Sequence, residues 1–333
     1  MPTIRPSKAL PATPWQAARA GDDYGATASP DWRSIDWRPH LHQIEIDGRS
    51  LNYVDYGSSE AGHEPVVFVH GLGGCWQNWL ENIPRVAAEG RRAIAVDLPG
   101  FGFSEMPSDE ISISGYGRVV NELCDRLDVG EVALVGNSMG GFISAETAIQ
   151  FRARVARMVL VSAAGVTTSD LRSGPIMAGA RLVAAVAART ATMSDRVVRR
   201  RHIRHLVYHS FIRHPTRIRN ELLYEITRGS GRPGFLDALR AIMDYDFRDR
   251  LTEIGCPTLI VWGTEDMLVP SSDADEYERL IPQSRKLIFR DTGHMAMIER
   301  PQTFNDCLME FLAEEPEPAS SEAEVEAAGG GSR

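Results

Sequence analysis

The 333-residue chain is 43% apolar and 24% charged, the balance of a soluble globular protein, and it is long enough for one large α/β domain with an insertion or for two small domains. A net charge of −9 argues against a general nucleic-acid binder, and four widely spaced cysteines (Cys75, Cys124, Cys256, Cys307) without a C-x-x-C pair argue for reduced thiols. Met1-Pro2-Thr3-Ile4-Arg5-Pro6 lacks the apolar core of a secretory signal, and the longest apolar stretch, Leu182 to Ala188, is too short to span a bilayer, so a cytoplasmic location is expected.

Residues 1–40 are rich in Pro, Ala and Asp, with Trp15, Trp32 and Trp37 spaced through them. We read them as an arm that packs on the body, because unstructured tails are poor in aromatics. His42 to Ile46 and Ser50 to Tyr56 alternate and meet across Asp47-Gly48, a strong hairpin signal. Strand then alternates with helix: Val66 to Val69, a helix over Trp79 to Ala88, Ala93 to Val96, a helix over Gly115 to Leu127, and Val132 to Val135. The pattern continues through a helix over Phe142 to Phe151 and strands over Val155 to Val161, Thr258 to Trp262 and Lys286 to Phe289. A last helix runs from Pro301 to Leu312. This rhythm predicts a mostly parallel sheet covered on both faces, with the opening hairpin as an antiparallel edge.

Residues 163–250 interrupt the rhythm with helical patterns alone, so they read as an inserted helical cap between the two parts of the core, 41–162 and 251–313. They hold 16 arginines against eight acidic residues, a charge of +8 that leaves −17 for the rest. Attraction to the acidic body accounts for that polarity, and a preference for anionic substrates or surfaces is the second reading. Only two of the 36 basic residues are lysine, so arginine is abundant everywhere in this chain. Residues 314–333 are an acidic Glu/Pro/Ala/Ser/Gly tail and read as disordered.

Chemistry concentrates at Gly136-Asn137-Ser138-Met139-Gly140-Gly141, a G-x-S-x-G match between a buried strand and a helix. A serine there sits on a tight turn that lifts its hydroxyl out of the sheet and leaves the Met139 N–H at a helix N-terminus, aimed at developing negative charge. A base and an acid are still needed. His294, in Gly293-His294-Met295, and Asp266, in Gly263-Thr264-Glu265-Asp266, each follow a core strand at the same sheet edge. Glu265 is the alternative acid, while Asp291 reads as a cap of its own loop. The order Ser138, Asp266, His294 is that of the α/β-hydrolases. His70-Gly71-Leu72-Gly73-Gly74 follows another strand and can bring an N–H close to the serine. Leu72 is the expected second oxyanion donor beside Met139, with Gly73 the alternative, and His70 is expected to hydrogen-bond within the loop.

Five ordered segments resemble an α/β-hydrolase fold serine hydrolase: His70-Gly71-Leu72-Gly73, Asp97-Leu98-Pro99-Gly100-Phe101-Gly102-Phe103-Ser104, the turn at Ser138, Gly263-Thr264-Glu265-Asp266, and Gly293-His294 through Glu299-Arg300-Pro301. The resemblance implies that fold over about residues 42–313 and a cap that lends substrate selectivity. Ser138 disfavours epoxide hydrolases and haloalkane dehalogenases, which use an aspartate there. The Gly136-to-Gly141 variant resembles hydrolases of carbon–carbon bonds in aromatic ring-fission products. Those carry a Gly-Pro-Gly-type oxyanion loop, absent from Gly73-Gly74-Cys75-Trp76. Carboxylesterases and monoacylglycerol-lipase-like enzymes fit as well.

The expectation is therefore a carboxylic ester hydrolase working through an acyl-enzyme on Ser138, with an apolar acyl group as substrate. Carbon–carbon hydrolysis of a vinylogous diketone is the alternative, and a ligand-binding receptor that has kept the fold is the third reading. Gly71, Gly73 and Trp76 are expected to contact substrate. Ile176-Met177 and Leu182 to Val186 are expected either to wall the pocket or simply to be buried. His202, His205 and His209 share one helix face, but no carboxylate or cysteine completes a metal site. No metal, cofactor, nucleic acid or transmembrane segment is expected, and a homodimer is left open.

Overall fold

The structure, a computed structural model, describes residues 9–59, 62–167 and 192–315. The arm contains a short helix, α1 (Pro14–Ala17), capped by Thr13, and two 3-10 turns at Trp32–Ser34 and Arg38–His40. Trp32 is buried and donates from Nε1 to Glu81 Oε1 at 3.0 Å. Trp37 packs its ring 5.4 Å from Trp76 and donates to the Trp32 carbonyl. Trp15 does not dock and is 82% exposed. The buried side of α1 is marked by Ala17, which lies two residues, about 200°, further round the helix.

Asp47 and Gly48 both take positive φ, +50° and +69°, and close the hairpin of β1 (Leu41–Ile46) and β2 (Arg49–Tyr56). β3 (Val66–Val69), β4 (Ala93–Val96), β5 (Val132–Asn137), β6 (Val155–Val161), β7 (Thr258–Gly263) and β8 (Ser284–Phe289) complete an eight-stranded sheet of order β1-β2-β4-β3-β5-β6-β7-β8. The β1–β2 and β2–β4 pairs are antiparallel and the other five are parallel. Each crossover carries chain over a face, so both faces are covered and the central strands read as continuous apolar runs.

Alternation survives underneath those runs. Val67, Val69, Ile94, Leu134 and Leu160 point into one buried cluster, which also holds side chains of α3 (Ile113–Arg126) and α4 (Met139–Gln150). Val66, Phe68, Ala95, Val135 and Val159 point into the other, with α2 (Ile83–Ala88) and the arm residues Tyr24 and Trp32. The helix expected over Trp79 to Ala88 divides into a 3-10 turn, Trp76–Trp79, and α2. Pro84 is the reason: with no N–H it is tolerated in a first turn and not in a helix interior.

Between β6 and β7 the described elements are α5 (Ser194–Arg199), α6 (Arg201–Tyr208), α7 (Asn220–Arg228), α8 (Phe235–Asp244) and a 3-10 turn at Arg248–Glu253. The apolar segment Ile176 to Val186 lies outside the described residues. Three further helices follow: α9 (Ser272–Leu280), α10 (Ala296–Glu299) and α11 (Pro301–Ala313). No helix among the described residues is long and apolar enough to cross a membrane.

Candidate active site

Ser138 joins β5 to α4 with φ +57° and ψ −119°. A non-glycine residue held there stores about 1–3 kcal/mol of strain. Its neighbours impose it: the Ser138 N–H donates to the Val161 carbonyl at 2.9 Å, and its own carbonyl accepts from Phe142 and Ala164. Two glycines make the turn sterically possible. A Cβ at Gly136 would lie 2.2 Å from the Gly140 oxygen, and one at Gly140 2.1 Å from the Val69 oxygen.

His294 and Asp266 come together from two different strand ends. His294 Nδ1 meets Asp266 Oδ2 at 2.8 Å, and both side chains are buried. The other carboxylate oxygen accepts from the N–H groups of Leu268 and Val269 at 2.9 and 3.0 Å. Such an arrangement keeps the proton on Nδ1 and leaves Nε2 bare to accept one. Glu265, the alternative acid, faces Arg213 at 3.6 Å. Asp291 does not cap its own loop: it reaches the 211–214 segment, accepting from His214 Nε2 at 2.9 Å and Arg213 Nε at 3.3 Å.

Asn137 ties these parts together. Its Nδ2 donates to the His294 carbonyl and to the Val161 carbonyl, each at 3.1 Å. The residue before the candidate nucleophile thus holds the backbone of the candidate base. The 71–74 loop closes in from the other side, since a Cβ at Gly71 would stand 3.0 Å from Ser138 Cβ. Leu72 is half-buried beside it, and Met139 opens α4, so its N–H has no acceptor within the helix.

His70 is fully buried and fixes that loop. Nδ1 donates to the Gly71 carbonyl at 2.8 Å and Nε2 accepts from the Leu98 N–H at 3.0 Å, so the ring must be neutral with its proton on Nδ1. Burial pushes its pKa down to about 4. The far end of the loop is held by Asp97, which accepts from the N–H groups of Trp76 (2.7 Å) and Phe103 (2.9 Å) and from Asn52 Nδ2 (2.9 Å). Burial raises the Asp97 carboxyl to about 6, against the pull of these three donors. Gly73 adopts φ +74°, and a Cβ there would press on the Phe235 ring at 3.3 Å, so α8 sits against the loop. Trp76 lines a cavity of about 450 Å³ with Trp32, Trp37 and Gln77, on the side of the arm.

Glu299, read in the sequence only as part of a family-like segment, has a role that sequence reasoning did not assign. It is fully buried, and its carboxylate accepts from the N–H groups on both sides of His294: Gly293 at 2.9 Å and Met295 at 3.1 Å. It also accepts from the Arg213 N–H at 2.9 Å and from the Tyr24 hydroxyl. Burial pushes this carboxyl up, and the four donors pull it back. The signal that could have found it was its position five residues after His294, ending a short apolar run. The three histidines of the insertion do not converge. His205 and His209 stack at 5.8 Å while His202 is exposed, and no cluster of three metal-ligating side chains occurs among the described residues.

Comparison with known proteins agrees with this geometry. The profile of the α/β hydrolase fold matches residues 64–301. The chain is 32% identical over 283 residues to the dihydrolipoyllysine-residue acetyltransferase component of the acetoin cleaving system of Pseudomonas putida, covering 82% of this chain and 70% of that protein. It is 30% identical to the 2-hydroxy-6-oxononadienedioate/2-hydroxy-6-oxononatrienedioate hydrolase of Escherichia coli K12, covering 81% of this chain and 94% of the other. Among solved structures, the meta-cleavage product hydrolase CumD superposes with a TM-score of 0.66 at 26% identity, over 82% of this chain and 98% of that one. By sequence, topology and the strand–turn–helix at Ser138, the chain belongs to the α/β-hydrolase fold family and is a hydrolase.

Proposed function

We propose that this protein is a serine hydrolase of carboxylic esters with Ser138, His294 and Asp266 as its catalytic residues. Ser138 Oγ attacks the ester carbonyl as His294 Nε2 takes its proton, and Asp266 stabilises the imidazolium that forms. The N–H groups of Leu72 and Met139 receive the oxyanion, each donor worth about 3 kcal/mol in reactions of this kind. The alcohol leaves with the proton from His294, and a water activated by the same ring releases the acid. The observation that carries the reading is the 2.8 Å His294–Asp266 bond, because it sets the tautomer that a base needs. An ester asks the least of such a site: its alkoxide leaving group needs one proton, which His294 already holds.

A second reading is hydrolysis of a carbon–carbon bond in a vinylogous diketone. It is favoured by the named activities of the Escherichia coli relative and CumD. The relative's substrate is a dicarboxylate, which a basic insertion would attract. A panel of p-nitrophenyl esters of graded chain length, run beside such a dienoate, separates the two. The ester reading predicts turnover of esters that falls by about 10⁴-fold or more in Ser138→Ala. Cleavage of the dienoate with esters untouched selects the second reading, and full turnover by Ser138→Ala contradicts both.

A further inference from the structure

The loop that carries His294 is supported from outside the core, by the arm. Glu299 Oε2 accepts from Gly293, Arg213 and Tyr24, and Oε1 accepts from Met295. Tyr24 is itself held, because its hydroxyl accepts from the His214 N–H at 2.8 Å. The adjacent arm residue repeats the attachment, with the Gly25 N–H donating to the Glu299 carbonyl at 2.7 Å. Tyr24 is thus a relay with one donor and one acceptor satisfied, between a carboxylate under His294 and the insertion beside it. The same insertion segment touches the histidine directly, the His294 N–H donating to the Phe211 carbonyl at 2.9 Å.

We propose that Tyr24 and Glu299 are positioning residues for the reaction: the arm sets where the His294 ring stands relative to Ser138, by way of the Glu299 carboxylate. This rests on the reading of His294 as the general base. Asp266 fixes the ring's tautomer and one nitrogen, but a ring turns with its backbone. Its backbone is pinned by four polar ties: the two N–H groups on Glu299, the Phe211 carbonyl and Asn137. Removing the Tyr24 hydroxyl takes one donor from Glu299 and leaves the buried His214 N–H without its acceptor. A displacement of about 1 Å in a catalytic group can cost about 100-fold in rate.

The test uses the full chain and reads the rate of fluorophosphonate labelling of Ser138 together with kcat and KM on a p-nitrophenyl ester. Tyr24→Phe should lower the labelling rate and kcat by about tenfold with KM within about twofold, and Glu299→Gln, which keeps one acceptor oxygen, should lose more than Tyr24→Phe and less than Glu299→Ala. Trp32→Phe removes a different buried arm hydrogen bond, to Glu81, and should leave all three values within about twofold. An unimpaired Tyr24→Phe overturns the proposal, as does a Trp32→Phe equally slow. Because Tyr24→Phe keeps the ring and its packing, it carries the test even where a Glu299 variant fails to fold. Ser138→Ala measured alongside separates two failures. Turnover that survives it contradicts the functional reading and this proposal with it, whereas a dead Ser138→Ala beside a fast Tyr24→Phe contradicts the arm's role alone.

Discussion

At the scale of single residues the site divides into groups that the chain announces and groups that it conceals. Ser138, Asp266 and His294 each follow a strand, so their place at one sheet edge was legible. Asn137 and Glu299 were not, because part of what each binds arrives from elsewhere in the chain: the Val161 and His294 carbonyls for one, the Arg213 N–H and the Tyr24 hydroxyl for the other. No residue near either one in the chain marks those distant partners. His70 lies between these cases. A role inside its loop was expected, and the structure adds the reach to Leu98 and the fixed tautomer. That tautomer has a consequence for stability. Its folded pKa of about 4 lies below the ordinary value of 6.5, so the unfolded chain binds a proton that the folded one refuses. Stability from this group is complete above about pH 6.5 and is lost as pH falls toward 4, amounting to about 3 kcal/mol. His70→Gln cannot take up that proton. Urea unfolding should show it losing about 3 kcal/mol less than the wild type between pH 6.5 and 4.

Elements were read well where apolar periodicity decided them and poorly where a single residue did. The strands from Val66 to Gly263 appear within about two residues of where their apolar runs lie, as expected when both sheet faces are buried. Pro84 moved a helix start by four residues, and α9 escaped notice because Ser272 to Leu280 is mostly charged, with its buried side marked by Ala274 and Tyr277. At the turn between β5 and α4 the glycines carry the argument. Gly140→Ala would push a methyl to 2.1 Å from the Val69 oxygen, and backbone cannot swing aside as a side chain can. We expect a loss of about 3 kcal/mol or more by thermal or urea unfolding, with ester turnover falling too. Gly130→Ala meets nothing within 4 Å and should stay within about 0.5 kcal/mol of wild type.

Across the whole molecule, two peripheral segments, the arm and the insertion, fasten onto the sheet near the same edge. Composition foretold the charge contrast between the insertion and the rest, and the structure shows where part of it is spent. Arg213 faces Glu265 and Asp291, Arg248 pairs with Glu276, and Arg250 pairs with Glu146 at 3.2 Å. The last differs in kind, because the Glu146 side chain is only 1% exposed. Arg250→Ala leaves a buried carboxylate short of its cation and should cost about 2 kcal/mol, less than a fully buried pair because the arginine is partly in water. Arg279→Ala, whose side chain is 62% exposed, should change stability by less than about 0.5 kcal/mol. Arm docking was legible in Trp32 and Trp37, which are rich in apolar surface. The tie from Tyr24 to Glu299 was not, since a hydroxyl and a carboxylate 275 residues apart give no sequence signal.

The proposed function turns on Ser138 Oγ as the atom that would take the acyl group. The most direct measurement mixes the full-length protein with a p-nitrophenyl ester, quenches it in acid within the first turnover, and maps the product by peptide mass spectrometry. An acyl-enzyme on Ser138 predicts a burst of p-nitrophenol matched by one acyl group on the peptide that carries Ser138, absent in Ser138→Ala. Turnover with no acyl group on Ser138, or with the group on another residue, would contradict it.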